Sequence, residues 1–208
     1  MLKAKIAVFV SGGGTNFEAL INSLENGNIP HGDICLVVSS NRNAFALERA
    51  KNHNVKSVVV SKKELSSQDA FEKALLSVLK ENSIDLIVLA GFMTILSESF
   101  TKKYDKRIIN VHPSLIPSFC GEGFYGLKVH EAALNYGVKV TGATVHYVNE
   151  IPDNGEIILQ KAVYIKDGDT PLILQKRVMQ EAEWEILPKA AEITAKNIVE
   201  GSQTNENT

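Results

Sequence analysis

The feature that most constrains the fold is a repeated order of short apolar segments, each followed by a stretch with helical character. In the first half of the chain these apolar segments are rich in β-branched residues and cover residues 5–10, 34–39, 57–60, 86–90 and 108–112. Strands that are apolar on both faces are typical of a parallel sheet with helices on both sides. The sequence therefore predicts an α/β fold built on a mostly parallel, twisted sheet. The clearest early helix is predicted over residues 68–80, where Phe71, Leu75 and Leu79 lie on one face at four-residue spacing and are expected to pack on the sheet.

The pattern changes after residue 112, where a Pro- and Gly-rich passage leads to a predicted helix near residues 129–135. Two strands follow near residues 141–148 and 157–165, and we expect them to be antiparallel because a turn-forming loop joins them. A long last helix begins near Pro171 and is expected to bend at Pro188. Its apolar stripe comprises Leu174, Val178, Ala182, Ile186 and Ala190.

Length and composition limit the classes of protein to consider. A chain of 208 residues is long enough for a single domain, which we expect over residues 1–200, with a disordered tail over 201–208. The formal net charge of −2 argues against nucleic acid or an anionic membrane as a partner. Two cysteines, Cys35 and Cys120, cannot form a metal cage or a disulfide scaffold, so we expect a cytoplasmic protein without a metal.

Three consecutive glycines lie between the first predicted strand and the start of a helix. They are Gly12, Gly13 and Gly14, and Thr15 and Asn16 follow them. Such a turn directs backbone N–H groups outward at a helix N-terminus, where the helix dipole adds positive potential, so a phosphate can bind without a basic side chain. The alternative is a purely structural turn in which Thr15 or Asn16 caps the helix.

The residues around the glycines indicate which phosphate ligand fits. A nucleoside triphosphate loop has Lys followed by Ser or Thr after its last glycine, whereas this loop continues with Thr15 and Asn16. A dinucleotide site has a small residue where Phe17 stands and an acidic residue after the second strand, where this chain has Ser39 and Ser40. A monophosphate is therefore the ligand that the loop fits best.

Asn110 and His112 lie at the end of the fifth predicted strand, just before Pro113. Side chains two residues apart in a strand point to the same side, and open α/β sheets bind ligands beyond the carboxyl ends of their strands. An amide beside an imidazole can stabilise an oxyanion and transfer a proton, as attack on a carbonyl carbon requires. The alternative is a capping asparagine and a structural histidine.

By composition alone, Asp153 is only a residue of the turn over 149–155.

Five motifs carry a resemblance to a known family. They are SGGGTN at residues 11–16, LAGFM at 89–93, NVHPSLIP at 110–117, HYV at 146–148 and DNG at 153–155. In this order and spacing they resemble the phosphoribosylglycinamide formyltransferases of purine synthesis, from residue 5 to about residue 190. The Asn-x-His-Pro-Ser-Leu-x-Pro element with a downstream Asp is typical of enzymes that use formyltetrahydrofolate, and the glycine loop favours the glycinamide branch.

The resemblance implies the formyltransferase fold and transfer of a formyl group from 10-formyltetrahydrofolate to the amino group of glycinamide ribonucleotide. It also implies that Asn110 and His112 stabilise the oxyanion, while Asp153 orients His112 and assists proton transfer. The implied binding residues are Gly13, Gly14, Thr15, Asn16 and Glu183 for the ribonucleotide, and Met93, Thr94, Ile95, Leu96 and Asn110 for the folate. The expected partners are these small molecules, bound by a monomer or a homodimer.

The chain departs from the family's pattern at two places. Residues 118–125 form a longer connection than the Pro-Gly-Leu of well-known relatives. Gln68 and Thr94 stand where relatives place two arginines near the glutamate tail of the folate, and the candidates to replace those charges are Lys62 and Lys63.

Other functions are alternatives to this interpretation. A formyltetrahydrofolate deformylase or a methionyl-tRNA formyltransferase has the same core but usually carries an additional domain, for which 208 residues leave no room. A noncatalytic phosphate-binding module is disfavoured by the presence of Asn110, His112 and Asp153. A nicotinamide oxidoreductase is disfavoured by the missing acidic residue after the second strand.

Overall fold

The structure is a computed structural model that describes residues 2–65 and 67–206. Its strands are β1 Ala4–Val10, β2 Gly32–Ser39, β3 Lys56–Val59, β4 Leu86–Leu89, β5 Ile108–His112, β6 Val140–Tyr147 and β7 Ile157–Tyr164. Its α-helices are α1 Thr15–Glu25, α2 Ala46–Asn52, α3 Gln68–Glu81, α4 Glu98–Thr101, α5 Leu127–Tyr136, α6 Pro171–Val178 and α7 Trp184–Glu206. The strands form one sheet in the order β3-β2-β1-β4-β5-β6-β7.

The pairing confirms the predicted α/β sheet. β1 to β5 pair in parallel, whereas β6 runs antiparallel to β5, and β7 runs antiparallel to β6. The chain builds outward from β1 to β3 and then crosses back to β4 on the other side of β1. Because the strand order reverses there, the loops that follow β1 and β4 leave a crevice at the carboxyl edge of the sheet, where such folds bind ligands.

Helices cover both faces of the sheet and enclose two apolar layers. One layer joins the sheet to α1, α2, α6 and α7, and the other joins it to α3 and α4. The predicted apolar face of α3 is confirmed, because Phe71, Leu75 and Leu79 are completely buried. Removing one such phenyl ring typically lowers the free energy of unfolding by about 3–5 kcal/mol. This apolar layer therefore holds α3 firmly against the sheet.

The start of α3 is set by a capping hydrogen bond to the residue before it. Ser67 precedes its first turn, and the Ser67 hydroxyl accepts a hydrogen bond from the Ala70 amide at 3.1 Å. The helix predicted over residues 68–80 is therefore confirmed to within one residue. The helix predicted near residues 129–135 is α5, which begins two residues earlier.

None of the helices within the two described ranges combines the length and the hydropathy needed to cross a bilayer.

The last helical region is interrupted, whereas the sequence predicts one bent helix. α6 ends at Val178, a π-helical segment spans Met179–Glu183, and α7 begins at Trp184. The predicted stripe from Leu174 to Ala190 is nevertheless buried throughout. A π-helical turn keeps the helical character of the sequence, so periodicity alone does not reveal it.

The last residues of α7 lie in the segment over residues 201–208, for which the sequence predicts a disordered tail. α7 contains Pro188 and continues to Glu206, and the Ser202 hydroxyl donates to the Ile198 carbonyl at 2.9 Å. Each residue added to an existing helix gains a hydrogen bond without the cost of nucleation, so a polar segment can extend it. Residues 207 and 208 lie outside the described residues.

Candidate active site

A cavity of about 590 Å³ lies beside the carboxyl ends of β4 and β5. Its walls are formed by residues 91–96, 110–113, 121–126 and 148–153. The first two segments follow or end parallel strands, and the other two belong to the loops before α5 and between β6 and β7. The cavity therefore lies where the sheet topology favours a ligand.

Asn110, His112 and Asp153 come together on the wall of this cavity. Strand alternation places Asn110 and His112 on the same side of β5, and the loop between β6 and β7 carries Asp153. Asp153 Oδ2 lies 3.3 Å from His112 Nδ1, and Asn110 Nδ2 lies 3.4 Å from Asp153 Oδ1. The fold thus joins residues that local spacing in the sequence cannot connect.

His146 of β6 is a fourth polar group in this cluster. It lies opposite Asn110 in the sheet and is 2% exposed. Its Nδ1 donates to the Tyr147 carbonyl at 2.7 Å, which leaves Nε2 to accept a hydrogen bond from Asn110 Nδ2 at 3.2 Å. His146 therefore orients the Asn110 amide so that its NH₂ group faces Asp153.

The connection over residues 118–125 contacts both members of the His112–Asp153 pair. The Phe119 carbonyl accepts a hydrogen bond from His112 Nε2 at 2.9 Å. The Gly121 amide donates to Asp153 Oδ2 at 2.9 Å. The longer connection is therefore part of the site and not a remote surface loop.

Burial and charge set the protonation of this pair. Burial lowers the pKa of His112 below its ordinary value, although the charge of Asp153 opposes this. Burial alone would raise the pKa of Asp153, but contacts with His146, His112 and the Gly121 amide lower it below its ordinary value. At neutral pH the site therefore holds a neutral imidazole beside an ionised carboxylate, which is suited to accept a proton and stabilise the resulting cation.

The segment after β4 forms another wall of the cavity. Met93 and Ile95 are 57% and 66% exposed, whereas Leu96 is buried. The Met93 amide donates to Ser11 Oγ at 3.0 Å, so this segment is joined to the loop that follows β1. Exposed apolar side chains on the wall of a cavity are suited to a flat, partly polar ring.

Gln68 and Glu72 of α3 hold this segment through its backbone. The buried Glu72 carboxylate accepts hydrogen bonds from the Ser97 amide at 2.7 Å and the Ser97 hydroxyl at 2.5 Å. Gln68 Nε2 donates to the Ile95 carbonyl at 3.1 Å and to the Glu72 carboxylate. Gln68, where the resemblance implies an arginine in relatives, is therefore engaged by the protein itself.

The glycine loop leaves the start of α1 open to a ligand. Gly14 precedes the helix with a φ of 73°, and no described side chain caps it, which rules out the alternative of a Thr15 or Asn16 cap. A Cβ on Gly14 would lie 2.6 Å from Ala46 Cβ, so α1 and α2 approach closely only because this residue is glycine. The first amides of α1 lack intrahelical acceptors and are suited to bind an anion.

Glu183 lies against this loop. Its Oε2 accepts a hydrogen bond from Asn16 Nδ2 at 2.7 Å, and the residue is 6% exposed. Burial raises the pKa of Glu183 to about 7. The π-helical segment that carries Glu183 therefore connects the last helical region to the glycine loop.

Arg49 of α2 is a contact of the glycine loop that the sequence patterns do not indicate. Its Nε donates to the Gly13 carbonyl at 2.9 Å, and its guanidinium lies 3.0 Å from Glu18 Oε2. A single arginine in a short helix has no distinctive spacing, so no local signal connects it to residue 13. Phe119 and Gly121 are likewise missed because they act through backbone atoms.

Lys62 and Lys63, the candidates to replace the charges of two arginines, do not line the cavity, and both are exposed. Thr94 lines the cavity, whereas Gln68 does not.

Cys35 and Cys120 are free thiols. In the described part of the chain, no three His, Cys, Asp or Glu residues are grouped in a way that could hold a metal ion.

Comparison with known proteins agrees with this geometry. A family model described as formyl transferase matches residues 4–191. The chain is 44% identical over 198 residues to the trifunctional purine biosynthetic protein adenosine-3 of Gallus gallus, covering 95% of this chain and 19% of that protein. It is 37% identical over 180 residues to the chloroplastic phosphoribosylglycinamide formyltransferase of Arabidopsis thaliana, covering 86% of this chain and 61% of that protein. The chain thus spans only part of these curated relatives.

Solved structures of similar length show the same fold. The glycinamide ribonucleotide transformylase 1 of Symbiobacterium toebii has a TM-score of 0.87 at 37% identity, covering 94% of this chain and 89% of that one. The phosphoribosylglycinamide formyltransferase of Brucella melitensis has a TM-score of 0.85 at 38% identity, covering 93% and 96%. The chain therefore belongs to the formyl transferase family, among the phosphoribosylglycinamide formyltransferases.

Proposed function

We propose that the protein transfers the formyl group of 10-formyltetrahydrofolate to the amino group of glycinamide ribonucleotide, in de novo purine synthesis. The observation that carries this proposal is the convergence of three polar side chains on one cavity wall, with Asp153 within 3.4 Å of both Asn110 and His112. Such a set can take a proton from an amine and donate hydrogen bonds to an oxyanion. The names of the family relatives agree with this reaction.

The chemistry follows from the protonation of the site. The amine nitrogen forms a bond to the formyl carbon, and its proton passes to the pair of His112 and Asp153. Asn110 and the protonated His112 then donate hydrogen bonds to the oxygen on which negative charge develops. His112 returns the proton to the departing folate nitrogen as the bond between that nitrogen and the formyl carbon breaks.

The binding roles are assigned by position. Gly13, Gly14, Thr15 and Asn16 offer the start of α1 to the 5′-phosphate, and Glu183 beside Asn16 is assigned to the ribose hydroxyls. Folate recognition is assigned to the cavity wall after β4, which comprises Met93, Thr94, Ile95 and Leu96. The contact between the Met93 amide and Ser11 holds the two binding regions side by side.

All of these residues come from one chain, which suits a monomer or a homodimer that binds its substrates without a partner protein. We also place the reaction in the cytoplasm, because both cysteines are free thiols, as expected in a reducing compartment.

The test is to incubate the purified protein with glycinamide ribonucleotide and 10-formyltetrahydrofolate and to analyse the products by mass spectrometry. We expect a ribonucleotide that has gained the mass of CO, formed only when both substrates are present. If formate accumulates and the ribonucleotide stays unmodified, the protein is a hydrolase and the proposed transfer is wrong.

A further inference from the structure

The two ring nitrogens of His112 face two different acceptors. Nε2 lies 2.9 Å from the Phe119 carbonyl oxygen, and Nδ1 lies 3.3 Å from Asp153 Oδ2. A carbonyl oxygen can only accept, so the Phe119 contact requires a proton on Nε2. In the neutral ring this leaves Nδ1 without a proton, next to the carboxylate that would stabilise its protonation.

The Phe119 carbonyl is held in this direction by its own residue and by its neighbours. Phe119 has a φ of 50°, which is uncommon for a bulky side chain and needs support from the surroundings. Its ring contacts those of Phe124 and Tyr136, with centroids 6.4 and 5.9 Å away. The preceding Ser118 carbonyl accepts a hydrogen bond from the buried Ser114 hydroxyl at 2.6 Å.

The same loop also holds the other member of the pair. The Gly121 amide donates to Asp153 Oδ2, the oxygen that faces His112 Nδ1. A carbonyl and an amide two residues apart therefore fix the imidazole and the carboxylate in one relative orientation. The titratable groups that interact with His112 besides Asp153 are His146 and His130, and both are buried.

We propose that Phe119 is a positioning residue, whose carbonyl retains the Nε2 proton of His112 and thereby makes Nδ1 the nitrogen that exchanges protons with the substrates. This inference rests on the proposed function. The substrate amine gives its proton to Nδ1 as the bond from nitrogen to the formyl carbon forms. While it is on Nδ1, this proton is the one that His112 donates to the oxyanion in a hydrogen bond. It leaves Nδ1 for the folate nitrogen when the bond between that nitrogen and the formyl carbon breaks, so Nε2 keeps its proton throughout.

The first test is ¹⁵N NMR of the wild-type protein labelled at histidine, above the pH at which His112 becomes neutral. We expect the Nε2 resonance of His112 to be that of a protonated nitrogen and the Nδ1 resonance that of a bare one. A neutral His112 with its proton on Nδ1 would overturn the proposal. This measurement needs no turnover, so it is independent of whether the wild-type protein transfers a formyl group.

The second test compares Phe119→Ala with Phe119→Tyr. Alanine loses the ring contacts that stabilise the positive φ, so we expect the carbonyl to leave His112. We expect kcat to fall roughly 10- to 100-fold, which is part of the roughly 10²- to 10⁴-fold that proton-transfer assistance contributes. KM values should stay within about threefold, because ground-state binding is untouched. Phe119→Tyr keeps the ring and should restore most of kcat.

The ¹⁵N spectrum distinguishes positioning from a general structural role. In Phe119→Ala the neutral His112 should show a mixture of tautomers, whereas Phe119→Tyr should match the wild type. Tyr164→Ala, which truncates an exposed aromatic residue on β7, is the control and should change neither kcat nor the tautomer. Unchanged kcat in Phe119→Ala, or reduced kcat with an unchanged tautomer, contradicts the proposal. If Phe119→Ala does not fold, the wild-type spectrum decides.

Discussion

Replacing Glu183 with Gln should stabilise the protein by an amount that increases with pH. The carboxyl group is 6% exposed and accepts a hydrogen bond from Asn16 Nδ2 at 2.7 Å. Burial raises its pKa from 4.5 to about 7, so ionisation costs more free energy in the folded protein than in the unfolded chain. Glutamine has nearly the same shape, keeps an oxygen for Asn16 and does not ionise.

The magnitude follows from proton linkage. Between the unfolded pKa of 4.5 and the folded pKa of about 7, the folded protein binds more protons at this site than the unfolded chain does, so rising pH removes stability. One pKa unit corresponds to about 1.4 kcal/mol, and integration from about pH 5 to about pH 8.5 gives about 2.5 kcal/mol. For a chain of 208 residues this equals roughly 5–10 °C in Tm.

The assay is urea unfolding of the wild type and Glu183→Gln at several pH values, followed by circular dichroism. We expect the difference in the free energy of unfolding to grow with pH and to level off above about pH 8. Glu181→Gln, at an exposed position two residues earlier, is the matched control and should retain the wild-type pH dependence. A difference between wild type and Glu183→Gln that does not change with pH would refute the reasoning.

Three further changes test the site and its supports. Asp153→Asn should leave the circular dichroism spectrum unchanged but lower kcat about 10²- to 10⁴-fold, and wild-type turnover would remove Asp153 from the mechanism. Gln68→Ala frees the Ile95 carbonyl and should raise KM for the formyl folate several-fold with little change in kcat, whereas an equal fall in kcat would indicate a wider collapse. Gly155→Ala puts a Cβ 1.7 Å from the Tyr147 carbonyl oxygen and should cost about 3 kcal/mol or more in urea unfolding, so a wild-type midpoint would show that this turn relaxes freely.

Much of the fold could be predicted because its signals are local. Apolar runs predict the buried strands, and the spacing of Phe71, Leu75 and Leu79 predicts the face of α3 that packs on the sheet. The alternation that places Asn110 and His112 together is equally local, since it depends on two neighbouring positions in one strand.

The parts that could not be predicted depend on non-local or backbone contacts. Asp153 lies 41 positions after His112, and only the motif resemblance connected the two residues. The Phe119 carbonyl and the Gly121 amide act through atoms that every residue has, so composition carries no sign of their role. The π-helical segment before Trp184 is missed for the same reason, because it changes hydrogen bonding without changing the apolar stripe.

The connection between β6 and β7 carries Asp153 to the imidazole of His112 on β5, which lies on the other side of β6 from β7. The pairing register shifts between Val145 and His146, Asp153 has a positive φ of 56°, and Gly155 passes against the Tyr147 carbonyl where a side chain has no room. These features make the connection irregular, and its Asp153 lies 3.3 Å from the imidazole of His112 at the end of β5. The arrangement of the acid and the imidazole is therefore specified by backbone geometry at this turn as much as by the two side chains, which explains why a turn-forming composition coincides with a proposed catalytic position.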